Sequence, residues 1–315
     1  MRTAKRPEIR PVALVAVLLA AIGLLGASAP MASAHARRAA QPIAIVAAEN
    51  QYGNVARQVG GAAVRVTSIE DNPNTDPHTF EVSARVAQQI AGARLVIENG
   101  LGYDSFVSKI EQAAPSRARK TIVVQRLLHL APSTPNPHLW YRPDAMPALA
   151  KALAGALAGI EPAKAATFQR RAARFIASLG PWKAALAAIK RRFGGSGVAV
   201  TEPVGNYLLR AAGLKVKTPF SLQTAVMNGL DPSPQDVAIE EALFSRHEVK
   251  VFVYNVQVTD SLTAQFLADA AHAHIPVVGV YETMPIPGFT YQSWMLAETR
   301  ALERALADHR STSSL

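Results

Sequence analysis

The stretch AKAATFQRRAARFIASLGPWKAALAAIKRRF, residues 163–193, divides the sequence into two halves of similar design. About 31 helical residues at ~1.5 Å each reach roughly 46 Å, which is enough to run along two lobes. Pro181 cannot donate to the carbonyl four residues before it, so we expect a kink or a break at Gly180-Pro181. The apolar residues recur at alternating spacings of four and three, which is one continuous helix face: Phe168, Ala172, Phe175, Leu179, Trp182, Leu186, Ile189 and Phe193.

Short β-branched runs lie on both sides of this stretch, with helical patterns between them. The predicted strands are 43–48, 64–69, 94–99 and 121–124 in the first half, and 198–201, 249–254 and 276–280 in the second. Helical patterns cover 83–92, 103–113, 143–159, 234–247, 259–272 and 290–308. Such alternation predicts an α/β fold of two lobes, each with a mostly parallel sheet flanked by helices, joined by one long connecting helix.

The predicted boundaries follow from this pattern. The first lobe is expected over 41–160, the connecting helix over 161–193 and the second lobe over 194–308. The remaining residues, 309–315, contain the polar tail RSTSSL and are expected to be disordered.

Residues 1–34 have the three-part pattern of an export signal. MRTAKRPEIRP is basic, VALVAVLLAAIGLLG is apolar, and MASAHA supplies the small residues of a cleavage site after Ala34 or Ala36. A retained membrane anchor is the alternative reading. Cleavage predicts a periplasmic or extracellular protein.

The composition narrows the choice of function. The 315 residues include no cysteine, which excludes disulfides, thiolate metal sites and a lipid-modified cysteine. The formal net charge of +10 is scattered, and we find no nucleic-acid-binding module. The sequence also lacks a G-x-x-x-x-G-K-[ST] phosphate loop, H-E-x-x-H and G-x-S-x-G.

Two histidines lie in stiff loops between a predicted strand and a helix. His78 follows Asp-Pro in NTDPHTFEVS (74–83), and His138 follows Asn-Pro in TPNPHLWYRPD (134–144). Proline fixes its own φ and restricts the residue before it, so these imidazoles are held as ligands would be. His129 is a weaker candidate, and the other histidines are read as surface residues.

Two glutamates occupy similar places in the second half. Glu202 follows a predicted strand in VAVTEP, and Glu282 follows another in PVVGVYETMP. Ligands of open α/β sheets gather at the carboxyl ends of strands, so two imidazoles and two carboxylates could form one cation site between the lobes. Each glutamate could instead cap the start of a helix.

These motifs resemble the metal-specific solute-binding proteins of bacterial ABC transporters, the manganese- and zinc-binding receptors. DPHTFE resembles the family's first His motif and NPHLW its second, while TEPVGNYLLRAAGL, VYETMP and NGLGYDSF (99–106) resemble further segments. The similarity covers 42–308. The resemblance implies that a metal binds in the cleft between the lobes. It also implies that the family's four metal ligands correspond to His78, His138, Glu202 and Glu282.

The sequence departs from this family in ways that bear on the site. Glu282 stands where an Asp is usual, which lengthens the side chain by one methylene. Asn255 stands where many relatives carry a Glu. Pro181 interrupts a helix that the family uses as a rigid spine, and the loop before His138 has only one extra histidine.

The resemblance implies a receptor, not an enzyme, that captures a divalent transition metal and delivers it to a membrane permease. We expect a monomer that binds no nucleic acid. The cargo is expected to be Mn²⁺ or Zn²⁺, with Fe²⁺ as a further candidate. Carboxylates can bind through one or two oxygens, and expansion beyond four ligands suits manganese, although raw affinity favours zinc.

Two other functions remain open at this level. A secreted metal-dependent hydrolase would need an open coordination position for water and a nearby general base. A receptor for a metal chelate or a vitamin would need a wide cleft lined by aromatic side chains.

Overall fold

A computed structural model of the chain describes residues 41–77, 80–285 and 287–315. The alternation of strands and helices predicted from the sequence is confirmed. The elements of the first lobe are, in chain order, β1 (Ile43–Glu49), α1 (Asn50–Gly60), β2 (Val64–Glu70), α2 (Ala84–Gly92), β3 (Leu95–Glu98), α3 (Ser105–Ala113), β4 (Lys120–Val123), α4 (Val124–Leu127) and α5 (Ala145–Ile160).

The second half follows a pair of connecting helices, α6 (Ala165–Ser178) and α7 (Gly180–Phe193). Three of its elements are at most eight residues long and were not predicted from the sequence pattern: α8 (Asn206–Ala211), β6 (Lys215–Val216) and α9 (Phe220–Met227). The elements are β5 (Gly197–Val200), α8 (Asn206–Ala211), β6 (Lys215–Val216), α9 (Phe220–Met227), α10 (Pro234–Ser245), β7 (Phe252–Asn255), α11 (Ser261–His272), β8 (Val277–Val280) and α12 (Tyr291–Asp308).

The two lobes are built on the same sheet topology. The strand order is β2-β1-β3-β4 in the first lobe and β6-β5-β7-β8 in the second, and every pair is parallel. In each sheet the second strand pairs on one side of the first (β2 beside β1, β6 beside β5). The third and fourth strands are then added on the other side of the first. This reversal places a crevice at the carboxyl ends of β1 and β3, and of β5 and β7.

The connecting helix is interrupted where the sequence predicts it. Leu179 separates α6 from α7, and Pro181 occupies the first turn of α7, where its missing N–H costs no helical hydrogen bond. Helix α6 packs against α1 and α5 of the first lobe, whereas α7 packs against α12 and α8 of the second. The break thus divides the connecting segment between the two lobes.

One hydrophobic core runs from the first sheet to the second, and residues Gln41–Leu315 form one compact unit. Aromatic side chains fill the part of this core between the lobes. Tyr291 and Trp294 of α12 contact Phe175 of α6, Trp182 of α7 and Tyr141 of the first lobe. Because α12 meets both connecting helices, it ties the C-terminal segment of the chain to the first lobe.

The prediction of a disordered tail over 309–315 is wrong. Thr312 pairs with Val278 of the edge strand β8, donating to Val277 O at 2.8 Å and accepting from the Gly279 N–H at 2.9 Å. A Cβ on Gly279 would clash with the carbonyl oxygen of Ser313, so the glycine permits this close approach. Because β8 is an edge strand, no other strand pairs with its outer backbone N–H and C=O groups, and the tail pairs with them instead. These bonds order a polar tail that has no apolar pattern of its own.

No helix in the described part of the chain is long and apolar enough to cross a membrane. The predicted signal over 1–34, with its cleavage site at Ala34 or Ala36, lies outside the described residues.

We expect Trp182→Ala to lower the free energy of unfolding by ~3–5 kcal/mol, because it empties a large site in a packed core. The indole is 1% exposed, and its N–H donates to Thr299 Oγ1 at 3.0 Å. Urea unfolding followed by circular dichroism measures the change. The neighbouring exposed Lys183→Ala is the control, and a loss below about 1 kcal/mol for Trp182→Ala would contradict the assigned packing.

Candidate metal centre

The carboxyl edge of the second sheet brings two acidic side chains together. Glu202 lies two residues after the end of β5, and Glu282 lies two residues after the end of β8. Asn255 ends β7, which pairs with both of those strands and therefore lies between them. All three side chains are buried, at the crevice where the strand order reverses.

Asn255 connects the two carboxylates. Its Nδ2 donates to Glu282 Oε1 at 2.7 Å and to Glu202 Oε1 at 3.2 Å. Its Oδ1 accepts from the backbone N–H of Gln257 at 3.1 Å, which fixes the amide with its two donors toward the carboxylates. Two buried carboxylates repel one another strongly, and this shared donor offsets only part of that repulsion.

His138 reaches the same place from the first lobe. Asn136 Nδ2 donates to Pro203 O at 2.7 Å, so its Oδ1 must be the atom that faces His138 Nδ1 at 2.8 Å. An amide oxygen only accepts, and Nδ1 therefore carries a proton. The other ring nitrogen, Nε2, lies 3.2 Å from Glu282 Oε2. It faces that oxygen either as an imidazolium donor or, when neutral, with its lone pair.

Aromatic rings of the first lobe enclose this contact. Tyr103 and Trp140 meet the His138 ring edge-on, with centroids 5.9 and 5.3 Å away. The Tyr103 hydroxyl donates to Glu282 Oε2 at 2.9 Å. Burial raises the pKa of Tyr103 well above 10, and the nearby Glu282 raises it further, so the hydroxyl remains a donor at neutral pH.

The segment that carries Glu282 is fastened by side chains from both lobes. Asn50 of the first lobe makes two hydrogen bonds with the Met284 backbone, of 2.8 and 3.0 Å. Gln51 donates to Glu282 O at 3.1 Å. Gln257 Oε1 accepts from the backbone N–H groups of Glu282 and Thr283 at 2.7 and 2.8 Å. The carboxylate therefore projects from a backbone that is held at three places.

The family described as ZnuA, "Zinc-uptake complex component A periplasmic", matches residues 45–305. The chain belongs to this family. The match begins in β1 and ends within α12, so it includes both sheets and every residue of the candidate centre. The description places ZnuA-family proteins in the periplasm.

A curated relative of this ZnuA-family chain is the manganese-binding lipoprotein MntA of Bacillus subtilis (strain 168). The two are 26% identical over 134 residues, which make up 41% of this chain and 42% of the lipoprotein. The alignment thus spans less than half the length of this relative.

Solved structures share the fold over most of the chain. The solute-binding protein FpvC of Pseudomonas aeruginosa, solved with Mn²⁺, has a TM-score of 0.70 at 18% identity and covers 85% of this chain and 100% of its own. The periplasmic zinc-binding protein TroA of Treponema pallidum has a TM-score of 0.71 at 15% identity, covering 85% and 99%. At such identities the likeness establishes the two-lobed fold.

Of the four residues singled out in the sequence, His138 and Glu282 contact each other directly, and Glu202 is linked to Glu282 through the Asn255 amide. His78 and Thr79 lie outside the described residues. The loop that leads to them meets the second lobe, because Gln257 Nε2 donates to Thr75 O at 2.7 Å. His129 is exposed in a turn after α4.

Within 41–77, 80–285 and 287–315, no group of three or more His, Asp or Glu side chains that could hold a metal ion is present. The contacts described above bring one imidazole and two carboxylates to the same sheet edge, with His138 and Glu282 in direct contact. Sequence reasoning had assigned no role to Asn136, Tyr103, Gln257 or Asn50, whose contributions depend on contacts between distant parts of the chain.

A second group of acids is buried in the first lobe. Burial raises the pKa of Glu49 well above 4.5, and the carboxylates of Asp104 and Glu70 raise it further. Burial also raises the pKa of Asp104 to about 6, although backbone N–H groups of Gly100 and Asn99 oppose the shift. These hydrogen bonds, of 3.0 and 2.6 Å, fix the turn that precedes Tyr103.

Glu298 of α12 is a buried acid between the lobes. Burial raises its pKa to about 8, although hydrogen bonds from Tyr141 and Trp294 favour the charged form. Both donate to Oε1, at 3.0 and 2.8 Å. The single hydrogen of the Tyr141 hydroxyl is shared between Glu298 Oε1 and Tyr281 O, which lies 2.9 Å away, and this links the acid to the backbone beside Glu282.

We expect Glu298→Gln to make stability less dependent on pH. The folded pKa of about 8 lies above the ordinary 4.5, so the acid stabilises the fold fully below about pH 4.5 and loses that contribution as the pH rises through about 8. The free energy of unfolding of the parent should fall relative to Glu298→Gln across this window, by up to about 1.4 kcal/mol per pH unit.

Urea unfolding at several pH values between 4 and 9 measures this difference. Glu248→Gln, which replaces an exposed glutamate of the second lobe, is the control and should parallel the parent. A constant difference between the parent and Glu298→Gln would contradict the raised pKa.

Proposed function

We propose that this chain is an extracytoplasmic solute-binding protein that captures a divalent transition metal and delivers it to the permease of an ABC transporter. The observation that carries this proposal is the position of His138. Asn136 fixes the Nδ1 proton, and Nε2 faces a Glu282 oxygen at 3.2 Å. A hydrogen bond that fixes the proton on one ring nitrogen, so that the other nitrogen can bind a metal, is typical of metal-ligating histidines.

The proposed ligands are His78, His138, Glu202 and Glu282. Two carboxylates match the charge of a divalent cation, and a cation between them would offset the cost of burying both. Imidazole nitrogen suits zinc, iron and copper, whereas carboxylate oxygen suits manganese. The donor set therefore supports Mn²⁺, Zn²⁺ or Fe²⁺ as cargo, in line with the manganese named for the Bacillus relative.

Capture and release would require the lobes to separate. Asn136 donates to Pro203 O, and the Tyr207 hydroxyl donates back to Asn136 O at 2.9 Å. Gln257 and Asn50 make further contacts across the cleft. These neutral hydrogen bonds contribute roughly 0.5–1.5 kcal/mol each and can be exchanged for water when the cleft opens.

The geometry favours a bare ion over the two rival functions. His138, Glu202 and Glu282 are 0%, 2% and 1% exposed, which leaves little room beside them for a chelate or vitamin. A hydrolase would need an open coordination position, and the Tyr103 hydroxyl and the Asn255 amide already contact the carboxylates there. We propose that the protein is a monomer and that its partner is the permease. We also propose that it binds no nucleic acid.

We expect His138→Ala or His78→Ala to weaken Mn²⁺ and Zn²⁺ binding at least 100-fold while the chain remains folded. Removal of one nitrogen ligand leaves two buried carboxylates with too few partners to hold the cation. Isothermal titration with each metal measures affinity, and circular dichroism reports the fold. His272→Ala, which removes an exposed imidazole, is the control. Parent-like affinity in either ligand variant would refute the ligand set, and a parent that binds neither metal would refute the function.

We also propose that residues 1–34 direct export and are removed. The mature chain is then expected to begin near His35 or, for cleavage after Ala36, at Arg37. The intact mass of the exported protein measures this. A full-length chain retained in the membrane would instead indicate an uncleaved anchor.

A further inference from the structure

The basic charge of this chain is concentrated in the helices that join the two lobes. Residues 145–193, which contain α5, α6 and α7, include nine Lys or Arg and a single acid, Glu161. The rest of the range 41–315 includes 18 Lys or Arg against 21 Asp or Glu. The excess of positive charge in 41–315 therefore comes from this helical segment, contrary to the expectation of scattered charge.

Most of these basic side chains lie at the surface. Arg171 is half-buried, and the other eight are exposed: Lys151, Lys164, Arg170, Arg174, Lys183, Lys190, Arg191 and Arg192. We call these eight residues the basic flank. Among the described residues, acids pair with only two of them, at 2.7 Å between Lys164 and Glu161 and at 2.9 Å between Arg192 and Glu303. Most of the charge of the basic flank is therefore not neutralised within the fold.

The packing of the connecting helices explains why these charges face outward. The apolar stripe of α6 and α7, from Phe168 to Ile189, is buried in the core that the two lobes share. The basic residues occupy the other sides of the same helices, so burial of the stripe exposes them. Small residues lie exposed between the charges and leave room for a broad surface to approach: Ala173, Ala177, Ala184 and Ala187.

The basic flank offers charge without apolar side chains that could insert into a partner. The exposed large hydrophobic residues of the described chain lie elsewhere, at Val82, Phe220, Leu230 and Ile239. The 14 residues of α6 and the 14 of α7, at ~1.5 Å each, extend over roughly 42 Å. Charges spread over this length match an extended anionic surface better than a small anion.

We propose that the basic flank docks the protein on the anionic phospholipid headgroups of the membrane that holds the permease. This inference rests on the proposed function, which places the chain beside that membrane. A negative membrane surface attracts each Lys or Arg that comes within about a Debye length, roughly 8–10 Å, and several such residues act together. The 315 residues include no cysteine, so a lipid-modified cysteine cannot provide this attachment.

Docking through the basic flank would leave the candidate metal centre outside the contact. His138, Glu202 and Glu282 lie in segments that follow strands or precede α5, and not on the helices that carry the basic flank. Because the attraction comes from charge alone, it is expected to be reversible and sensitive to salt.

Flotation of the exported protein with phospholipid vesicles tests this docking surface. Vesicles with about one third phosphatidylglycerol in phosphatidylcholine carry negative charge, and pure phosphatidylcholine vesicles are the neutral comparison. We expect the parent to bind the anionic vesicles at least about tenfold more strongly at about 0.05 M salt, and to lose most of this preference at about 0.5 M.

A variant with five glutamines removes charge from the basic flank alone: Arg170→Gln, Arg174→Gln, Lys183→Gln, Lys190→Gln and Arg191→Gln. The matched control removes the same charge from exposed residues elsewhere: Arg85→Gln, Arg117→Gln, Lys215→Gln, Arg246→Gln and Lys250→Gln. We expect binding to anionic vesicles to fall about tenfold or more in the first variant and less than about threefold in the control. Equal losses would show that only the net charge matters, and would overturn the assignment of the surface.

Labelling of the parent keeps the inference testable if the five-glutamine variant does not fold. Anionic vesicles should slow the acetylation of Lys183 and Lys190 about threefold or more, and leave Lys215 and Lys250 unchanged, as read by mass spectrometry. Equal labelling of all four lysines, no preference for anionic vesicles, or tighter binding to a DNA duplex than to these vesicles would overturn the proposal.

Isothermal titration with Mn²⁺ and Zn²⁺ separates this inference from the proposed function. We expect the five-glutamine variant to bind both metals as the parent does, because none of its changes is at a proposed ligand. A parent that binds metal but shows no preference for anionic vesicles would overturn the docking surface and leave the proposed function standing. A parent that binds the vesicles but neither metal would overturn the proposed function, and with it the link to the permease.

Discussion

The burial of two carboxylates at one sheet edge is the constraint on which the centre depends. Glu202 and Glu282 are 2% and 1% exposed, and like charges in a poorly polarisable interior repel strongly. Two neutral donors contact these carboxylates, the amide of Asn255 and the hydroxyl of Tyr103, and the His138 imidazole of the other lobe contacts Glu282. Neutral donors reduce this repulsion without cancelling the charge. At the proposed site a divalent cation would complete the compensation.

The topology explains why the compensation comes from both lobes. Parallel strands deliver their following residues to one edge, so acids after β5 and β8 must meet beside the end of β7. Asn255 of the same sheet donates to Oε1 of Glu282, whereas Oε2 of Glu282 faces Tyr103 and His138 of the first lobe. The first lobe presents its own carboxyl edge, and Asn50 and Gln51, which directly follow β1, grip the backbone around Glu282. The Glu282 segment thus belongs to the second lobe by sequence and to both lobes by contact.

Much of this arrangement could be predicted from the sequence, and the reason for each miss is physical. Strands and helices with strong apolar periodicity were located. Glu202 and Glu282 were singled out because they follow strands, and His138 because it follows a proline in a loop between a predicted strand and a helix. Helix α1 begins with Asn-Gln-Tyr-Gly, which has no apolar period, and β6 has only two residues. The tail was read as disordered because its order comes from an edge strand and not from its own residues. The contacts of Asn50 with Met284, 234 residues apart, have no local signal.

The chain also buries single acids away from the centre, and the comparison shows what distinguishes the centre. Glu240 accepts from the Thr218 hydroxyl at 3.1 Å, and Glu298 accepts from Tyr141 and Trp294. Burial raises both pKa values to about 8, so these side chains bury as neutral acids at pH 7. Each is a single acid among neutral partners, where taking up a proton is the cheapest way to remove the charge. At the centre Glu282 contacts an imidazole whose Nδ1 proton is already committed to Asn136, and the Asn255 amide joins Glu282 to a second acid, Glu202. A cation at the proposed site would serve both acids at once.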